Sequence, residues 1–170
     1  MSKTRIQLTL FVDENESMAI EETRKKFNPE QYELIKSHVT LCREDELEQI
    51  DKVVQTLATL NHTYVTIDFG PVTRFADGKG VLLPAAGNPE QFHALRNIIL
   101  KQVIKNPETP IPHITLMHPR NTTCTDSLFN QIERIKLPTR LTFKKISLIK
   151  QEPGKKWNIL KEFNLLNTII

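Results

Sequence analysis

Apolar and polar side chains alternate over residues 6–12, with Ile6, Leu8, Leu10 and Val12 in phase, which is the period-two pattern of a half-buried strand. Residues 14–27 shift to a helical rhythm with Ile20, Thr23 and Phe27 on one stripe, and Asn28-Pro29 stops it. A β-branched and apolar run predicts a second strand over 37–42. Asp45 then opens a predicted helix, with Glu48 three residues on completing a capping box and Leu47, Ile50, Val54 and Leu57 at helical spacing. Residues 64–69 read as a strand broken by Gly70-Pro71, and residues 72–75 and 81–83 as a hairpin around Asp77-Gly78-Lys79-Gly80. Asn88-Pro89 starts another helix, with Asn88 as N-cap, Gln91 three residues later, and Phe92, Leu95, Ile99 and Val103 on its core face. A proline-rich loop over 106–112 leads into an apolar run at 113–117. Thr125-Asp126 caps a further helix that buries Leu128, Phe129, Ile132 and Ile135, and residues 141–150 and 157–163 form a closing hairpin.

Helices and strands mix without a strict β-α-β rhythm, and the hairpins favour antiparallel pairing, so the predicted class is α+β. Composition adds that the core can form unaided. The chain has 170 residues, 39% of them hydrophobic and 25% charged, with no low-complexity tract. Two cysteines, Cys42 and Cys124, are too few for a disulfide framework and read as reduced thiols. Met1-Ser2-Lys3-Thr4-Arg5 leads straight into the first alternation without a secretory leader pattern, and no stretch has the roughly 20 apolar residues of a membrane span. A cytoplasmic protein with no membrane partner is therefore expected. A net charge of +3 disfavours broad capture of long nucleic acid but is compatible with a small phosphorylated ligand.

Chemistry is concentrated in a repeated tetrapeptide pattern, His38-Val39-Thr40-Leu41 and His113-Ile114-Thr115-Leu116. Residues two apart on a strand share a face, so each copy presents an imidazole beside a hydroxyl. With five histidines in the chain, shuffling yields roughly 0.06 copies of His-x-Thr-Leu, which makes two copies a strong signal. Two imidazoles supply an acid and a base near neutral pH, and two hydroxyls supply donors to an anion.

These motifs resemble the paired His-x-Ser/Thr signature of the 2H phosphoesterase superfamily, the group of the RNA 2′,3′-cyclic phosphodiesterases and 2′-5′ RNA ligases. Phe75 with Val81-Leu82-Leu83, Pro112 before the second motif, and Ile146-Ser147-Leu148, Gly154, Trp157 and Phe163-Asn164-Leu165 extend the resemblance over nearly the whole length. It implies one two-lobed domain over residues 1–170, a bilobal fold in which two antiparallel sheets with flanking helices surround a central cleft carrying the two His-x-Thr strands. It also implies metal-independent opening of a cyclic phosphodiester on an RNA 3′-end or a small nucleotide. His38 and His113 are then the catalytic pair, Thr40 and Thr115 the substrate-binding hydroxyls, with no cofactor and no obligatory protein partner. The chain departs from the resemblance after each motif, at Cys42-Arg43-Glu44-Asp45 and at Met117-His118-Pro119-Arg120, where those enzymes often carry a basic residue sooner.

The alternatives are a non-catalytic binding module for a phosphorylated ligand, and 2′-5′ RNA end-joining, the reverse of 2′-5′ bond cleavage. A metal site built from His38, Cys42, His113, His118 and Cys124 is a weaker rival, because His118 falls at odd spacing from His113 and points away on a continuous strand. By the same parity Cys42 shares the face of His38, and Arg43 faces away from it. Arg43 and Arg120 are candidates for neutralising a distal phosphate. Phe11, Phe75 and Trp157 are candidates for stacking a base, with core packing as the more ordinary role, and His62 and His93 read as surface or satisfied residues.

Overall fold

A computed structural model describes residues 3–168. A seven-stranded antiparallel sheet dominates it, in the order β4-β5-β6-β2-β1-β8-β9, with a two-stranded sheet of β3 and β7 beside it. The strands are β1 (Arg5–Phe11), β2 (His38–Cys42), β3 (Val65–Asp68), β4 (Thr73–Arg74), β5 (Val81–Pro84), β6 (His113–Met117), β7 (Arg140–Phe143), β8 (Lys145–Gln151) and β9 (Trp157–Asn164). Five α-helices, α1 (Met18–Phe27), α2 (Pro29–Leu34), α3 (Ile50–Ala58), α4 (Glu90–Leu100) and α5 (Asp126–Glu133), surround the sheets. The fold is α+β, as the mixed patterning predicts. No helix among the described residues is long and apolar enough to cross a membrane.

The predicted strands form because their apolar phase meets a common core. Leu8 and Leu10 of β1, Val39 and Leu41 of β2, and Ile114 and Leu116 of β6 are all fully buried or nearly so. Helix α4 buries Phe92, Leu95 and Ile99 at the predicted spacing and packs against β2 and β3. Thr125 Oγ1 accepts the backbone N–H of Leu128, the cap expected for α5.

Other expectations are corrected. The helix predicted from Asp45 begins at Ile50, after a short 3₁₀ turn over Glu44–Glu46. Glu46 is the reason, because its carboxylate turns inward to accept the N–H of Arg43 and to pair with buried Arg96. Gln91 does not close a capping box; its side-chain oxygen accepts the N–H of Thr66 on β3 instead. Pro29, expected only to end α1, also opens α2 from the first position, where its missing N–H costs nothing. The strand predicted over 141–150 is two strands. β7 pairs with β3, and after Lys144 the chain crosses into the large sheet as β8, between β1 and β9.

The seam of the large sheet lies between β2 and β6, which meet in antiparallel register at Val39 and Ile114. Each of these strands carries a one-residue irregularity at the same place. On β2, Thr40 pairs with Thr9 and Cys42 with Leu8, so Leu41 is the extra residue. On β6, Thr115 pairs with Leu82 and Met117 with Val81, so Leu116 is the extra residue. Both strands show the same burial pattern, with the residue after the leucine buried as well. A bulge at this point flips the parity of everything downstream.

Candidate active site

Continuing the Val39–Ile114 register puts His38 across from Thr115 and Thr40 across from His113. The two imidazoles therefore occupy opposite corners of a square completed by the two hydroxyls, and diagonal neighbours of this kind are about 7–8 Å apart. All four side chains line one cavity of about 330 Å³, with Arg5 and Gln7 of β1, Trp157 of β9 and Arg120 among its other walls.

The histidines are held alike. Nδ1 of His38 lies 2.8 Å from the carbonyl of Lys36, and Nδ1 of His113 lies 3.1 Å from the carbonyl of Ile111. A carbonyl only accepts, so each Nδ1 carries the hydrogen in the bond and each Nε2 is left for the cleft. A phenylalanine edge supports each ring: Phe11 stands 6.0 Å from His38, and Phe75 stands 5.7 Å from His113, both in T-shaped geometry. The approach of Phe75 depends on Gly80, where an added Cβ would sit 2.6 Å from the Phe75 ring and 2.8 Å from the Met117 carbonyl.

Two buried arginines hold the motif strands in place, Arg24 in the wall of the cleft and Arg96 outside it. Arg24 donates to the carboxylate of Glu21 at 2.8 Å and to the carbonyl of Ile35 at 2.7 Å, and Glu21 also accepts the N–H of Ser37. This fixes the entry to His38. Arg96 donates to both oxygens of Glu46, to the carbonyl of Leu41 and to that of Glu108. It therefore ties the exit of β2 to the loop that enters β6.

The electrostatics of the cleft are asymmetric. Burial, with Arg24, His113 and His118 nearby, pushes His38 down to about 4 despite its bond to the Lys36 carbonyl, so it is neutral at pH 7. Thr40 receives a hydrogen bond from Gln7 Nε2 at 3.3 Å, which leaves its own O–H to donate. Gln7 also donates to Thr9 Oγ1 at 2.8 Å, so the polar phase of β1 forms the floor of the cleft. That polar phase, interleaved with Leu8 and Leu10, was the sequence signal for Gln7.

Three parity arguments from the sequence are overturned by the bulges. His118 lines the cleft although its spacing from His113 is odd. Its backbone N–H donates to Asn28 Oδ1 at 2.8 Å, and its Nδ1 accepts the N–H of Arg120 at 3.1 Å. Burial with the charges of Arg120 and Arg5 pushes it down to about 4. Cys42, expected on the face of His38, is fully buried in the core, and desolvation raises its thiol to about 12. Arg43, expected to face away, reaches the cleft wall while its guanidinium lies near Asp45, Glu46 and Glu108. Cys124 is buried and free as well. Among the described residues no three His, Cys, Asp or Glu side chains converge as a metal-binding group. His62 bonds the carbonyl of Thr63, His93 rests on Phe92, and neither lines the cleft. Phe75 and Trp157 reach the cleft half-buried, whereas Phe11 acts through His38.

Comparison with solved structures supports the architecture. The chain superposes on E. coli LigT crystallised with 3′-AMP with a TM-score of 0.68 at 18% identity, covering 97% of this chain and 99% of that one. A structure described as a phosphoesterase gives 0.70 at 17% identity, covering 96% and 99%. TT0787 of Thermus thermophilus gives 0.61 at 15%, covering 96% and 98%. No functionally curated protein matches the chain in sequence. The sequence profile of the 2′-5′ RNA ligase superfamily matches residues 12–155, a span that contains both His-x-Thr strands and the helices between them. The chain belongs to the 2′-5′ RNA ligase superfamily.

Proposed function

We propose that this cleft opens a cyclic phosphodiester on an RNA 3′-end or a small nucleotide, by metal-independent acid–base catalysis. The observation that carries the reading is the matched restraint of the two rings, each with Nδ1–H given to a backbone carbonyl and Nε2 free for the cleft. His38, held neutral, takes the proton from the attacking water at Nε2. His113, reacting as the imidazolium with hydrogens on both ring nitrogens, gives its Nε2 proton to the alkoxide that leaves when the ring P–O bond breaks, and ends as the neutral Nδ1–H form. Protons then re-equilibrate with solvent, and no further group is consumed.

Thr40 and Thr115 donate to the non-bridging oxygens, where charge must be held in the transition state. Thr40 is prepared for this by Gln7, whose amide already fills an acceptor position on Oγ1. Family membership and the likeness to LigT, which has been crystallised with phosphate and with 3′-AMP, support a phosphate-bearing substrate.

The test is hydrolysis of the four nucleoside 2′,3′-cyclic monophosphates, and of an RNA ending in a cyclic phosphate, in excess EDTA. His38→Ala and His113→Ala are each expected to lose about 10²–10⁴-fold in turnover. Near wild-type turnover in both variants, or loss of activity on adding EDTA to the wild type, overturns the reading.

A further inference from the structure

Most of the protein's arginines are matched with acids. Arg24, Arg43, Arg74, Arg96 and Arg140 each lie within ion-pair distance of a carboxylate. Among the described residues, Arg5, Arg120 and Arg134 have no such partner, and of these three Arg5 and Arg120 line the same cleft. They also line a second cavity of about 840 Å³, so they stand where the two spaces join.

Both are held for that position. The Arg5 guanidinium lies over the Trp157 indole, 5.0 Å from the ring centroid, and donates to Gln151 Oε1. Arg120 is exposed on the loop after β6, and that loop is fastened to α1 and α2 through Asn28, Asn121 and Gln31. Two facing guanidiniums without a carboxylate concentrate positive potential, and an anion between them relieves it. The neighbouring groups register this field. Burial and Arg120 hold Arg5 below its usual range, with Glu44 opposing, and the same pair of arginines adds to burial in depressing His118. Glu30 and Glu33 line only the larger cavity, which confines the favourable anion position to the junction.

We propose that Arg5 and Arg120 form a second phosphate subsite at the mouth of the His38–His113 cleft, selecting substrates that carry another phosphate one nucleoside away from the reacting one. This rests on the cleft being a phosphate site, and it narrows the substrate to a nucleotide with a further phosphate or to an RNA end with its upstream phosphodiester. A guanidinium is suited to the task because its planar N–H groups donate bidentately to a phosphate and it stays charged in a partly buried place.

The experiment compares the binding of 3′-AMP and adenosine 3′,5′-bisphosphate by calorimetry at fixed salt, in wild type, Arg5→Gln, Arg120→Gln and Arg120→Lys. Wild type is expected to bind the bisphosphate roughly tenfold to a hundredfold more tightly. Each glutamine variant is expected to bring that ratio to about threefold or less, and Arg120→Lys to keep only part of it, because an ammonium supplies the charge without the bidentate fork. Circular dichroism establishes that the variants are folded. Equal affinity of wild type for the two ligands, no binding of the bisphosphate, or a ratio retained in both glutamine variants overturns the subsite. Turnover of cyclic nucleotides, measured in parallel, reports on the catalytic reading separately. A bisphosphate preference without turnover removes the catalysis and keeps the subsite, and turnover without the preference does the reverse.

Discussion

Replacing Arg96 with methionine tests the internal frame behind the cleft. The guanidinium is 3% exposed and Glu46 is 6% exposed, so their pairing, at 2.7 Å and 2.5 Å, is shielded from water. Removing one partner of such a pair leaves a buried charge, at about 3–5 kcal/mol. The carbonyl of Leu41 also loses its 3.0 Å donor, at about 1–3 kcal/mol, whereas that of Glu108 lies on an exposed residue that water reaches. The expected loss is about 4–8 kcal/mol, against the roughly 5–15 kcal/mol that holds a domain folded. Methionine fills a similar length, so the effect reports charge and hydrogen bonding more than volume. Urea denaturation followed through Trp157, the only tryptophan, gives the shift in midpoint at constant m. The double variant Arg96→Met/Glu46→Leu is expected to regain most of the loss, because replacing the whole pair by apolar groups leaves no stranded charge. Turnover at a temperature where Arg96→Met is folded is also expected to fall, since the Leu41 and Glu108 carbonyls border the two motif strands. An Arg96→Met protein within about 0.5 kcal/mol of wild type, or a double variant no more stable than the single, refutes the reasoning.

Three other outcomes are expected. His38 titrates near 4 in the folded chain and near 6.5 unfolded, so the unfolded state binds the extra proton and stability falls as pH drops from 6.5 to 4. That loss is up to about 3 kcal/mol, less what solvent in the cleft screens, and it is absent above pH 6.5; a ring-proton NMR titration with its midpoint near 6.5 refutes it. Gly80→Ala crowds Phe75, the Met117 carbonyl and Pro119 together and is expected to cost about 1–3 kcal/mol, with turnover reduced through His113; wild-type melting and kinetics refute it. Thr40→Val and Thr115→Val are expected to lose about 10²-fold in kcat, less than the histidine variants at their upper range, and kcat unchanged in both excludes hydroxyl stabilisation of the transition state.

Local patterning carried much of this structure. The alternation in β1, the face of α4 and the Thr125 cap were legible because each depends on neighbours a few residues away. The four motif side chains were legible for the same reason, since His and Thr two apart on a strand share a face whatever surrounds them. Long-range pairing defeated the rest. Glu46 looked like the first turn of a helix because its partner, Arg96, lies fifty residues away. The split of β7 from β8 is decided by which sheet each half finds, and the run from 141 to 150 carries no breaker. His118, Cys42 and Arg43 were misplaced by a common cause: a bulge leaves no mark in an apolar sequence, yet it reverses the parity of every residue that follows.

The matched bulges have a consequence for how the proposed reaction would acquire its direction. They give β2 and β6 the same geometry, so a phosphate seated over the seam meets an imidazole and a hydroxyl on either hand, related by an approximate twofold turn. Nothing in the strands distinguishes nucleophile side from leaving-group side. The distinction comes from what surrounds the rings, burial together with Arg24 and Phe11 at His38, and Phe75 with its glycine turn at His113. Polarity is thus a property of each ring's surroundings and near-symmetry a property of the frame. Substitutions in those surroundings can reassign acid and base without disturbing a single motif residue.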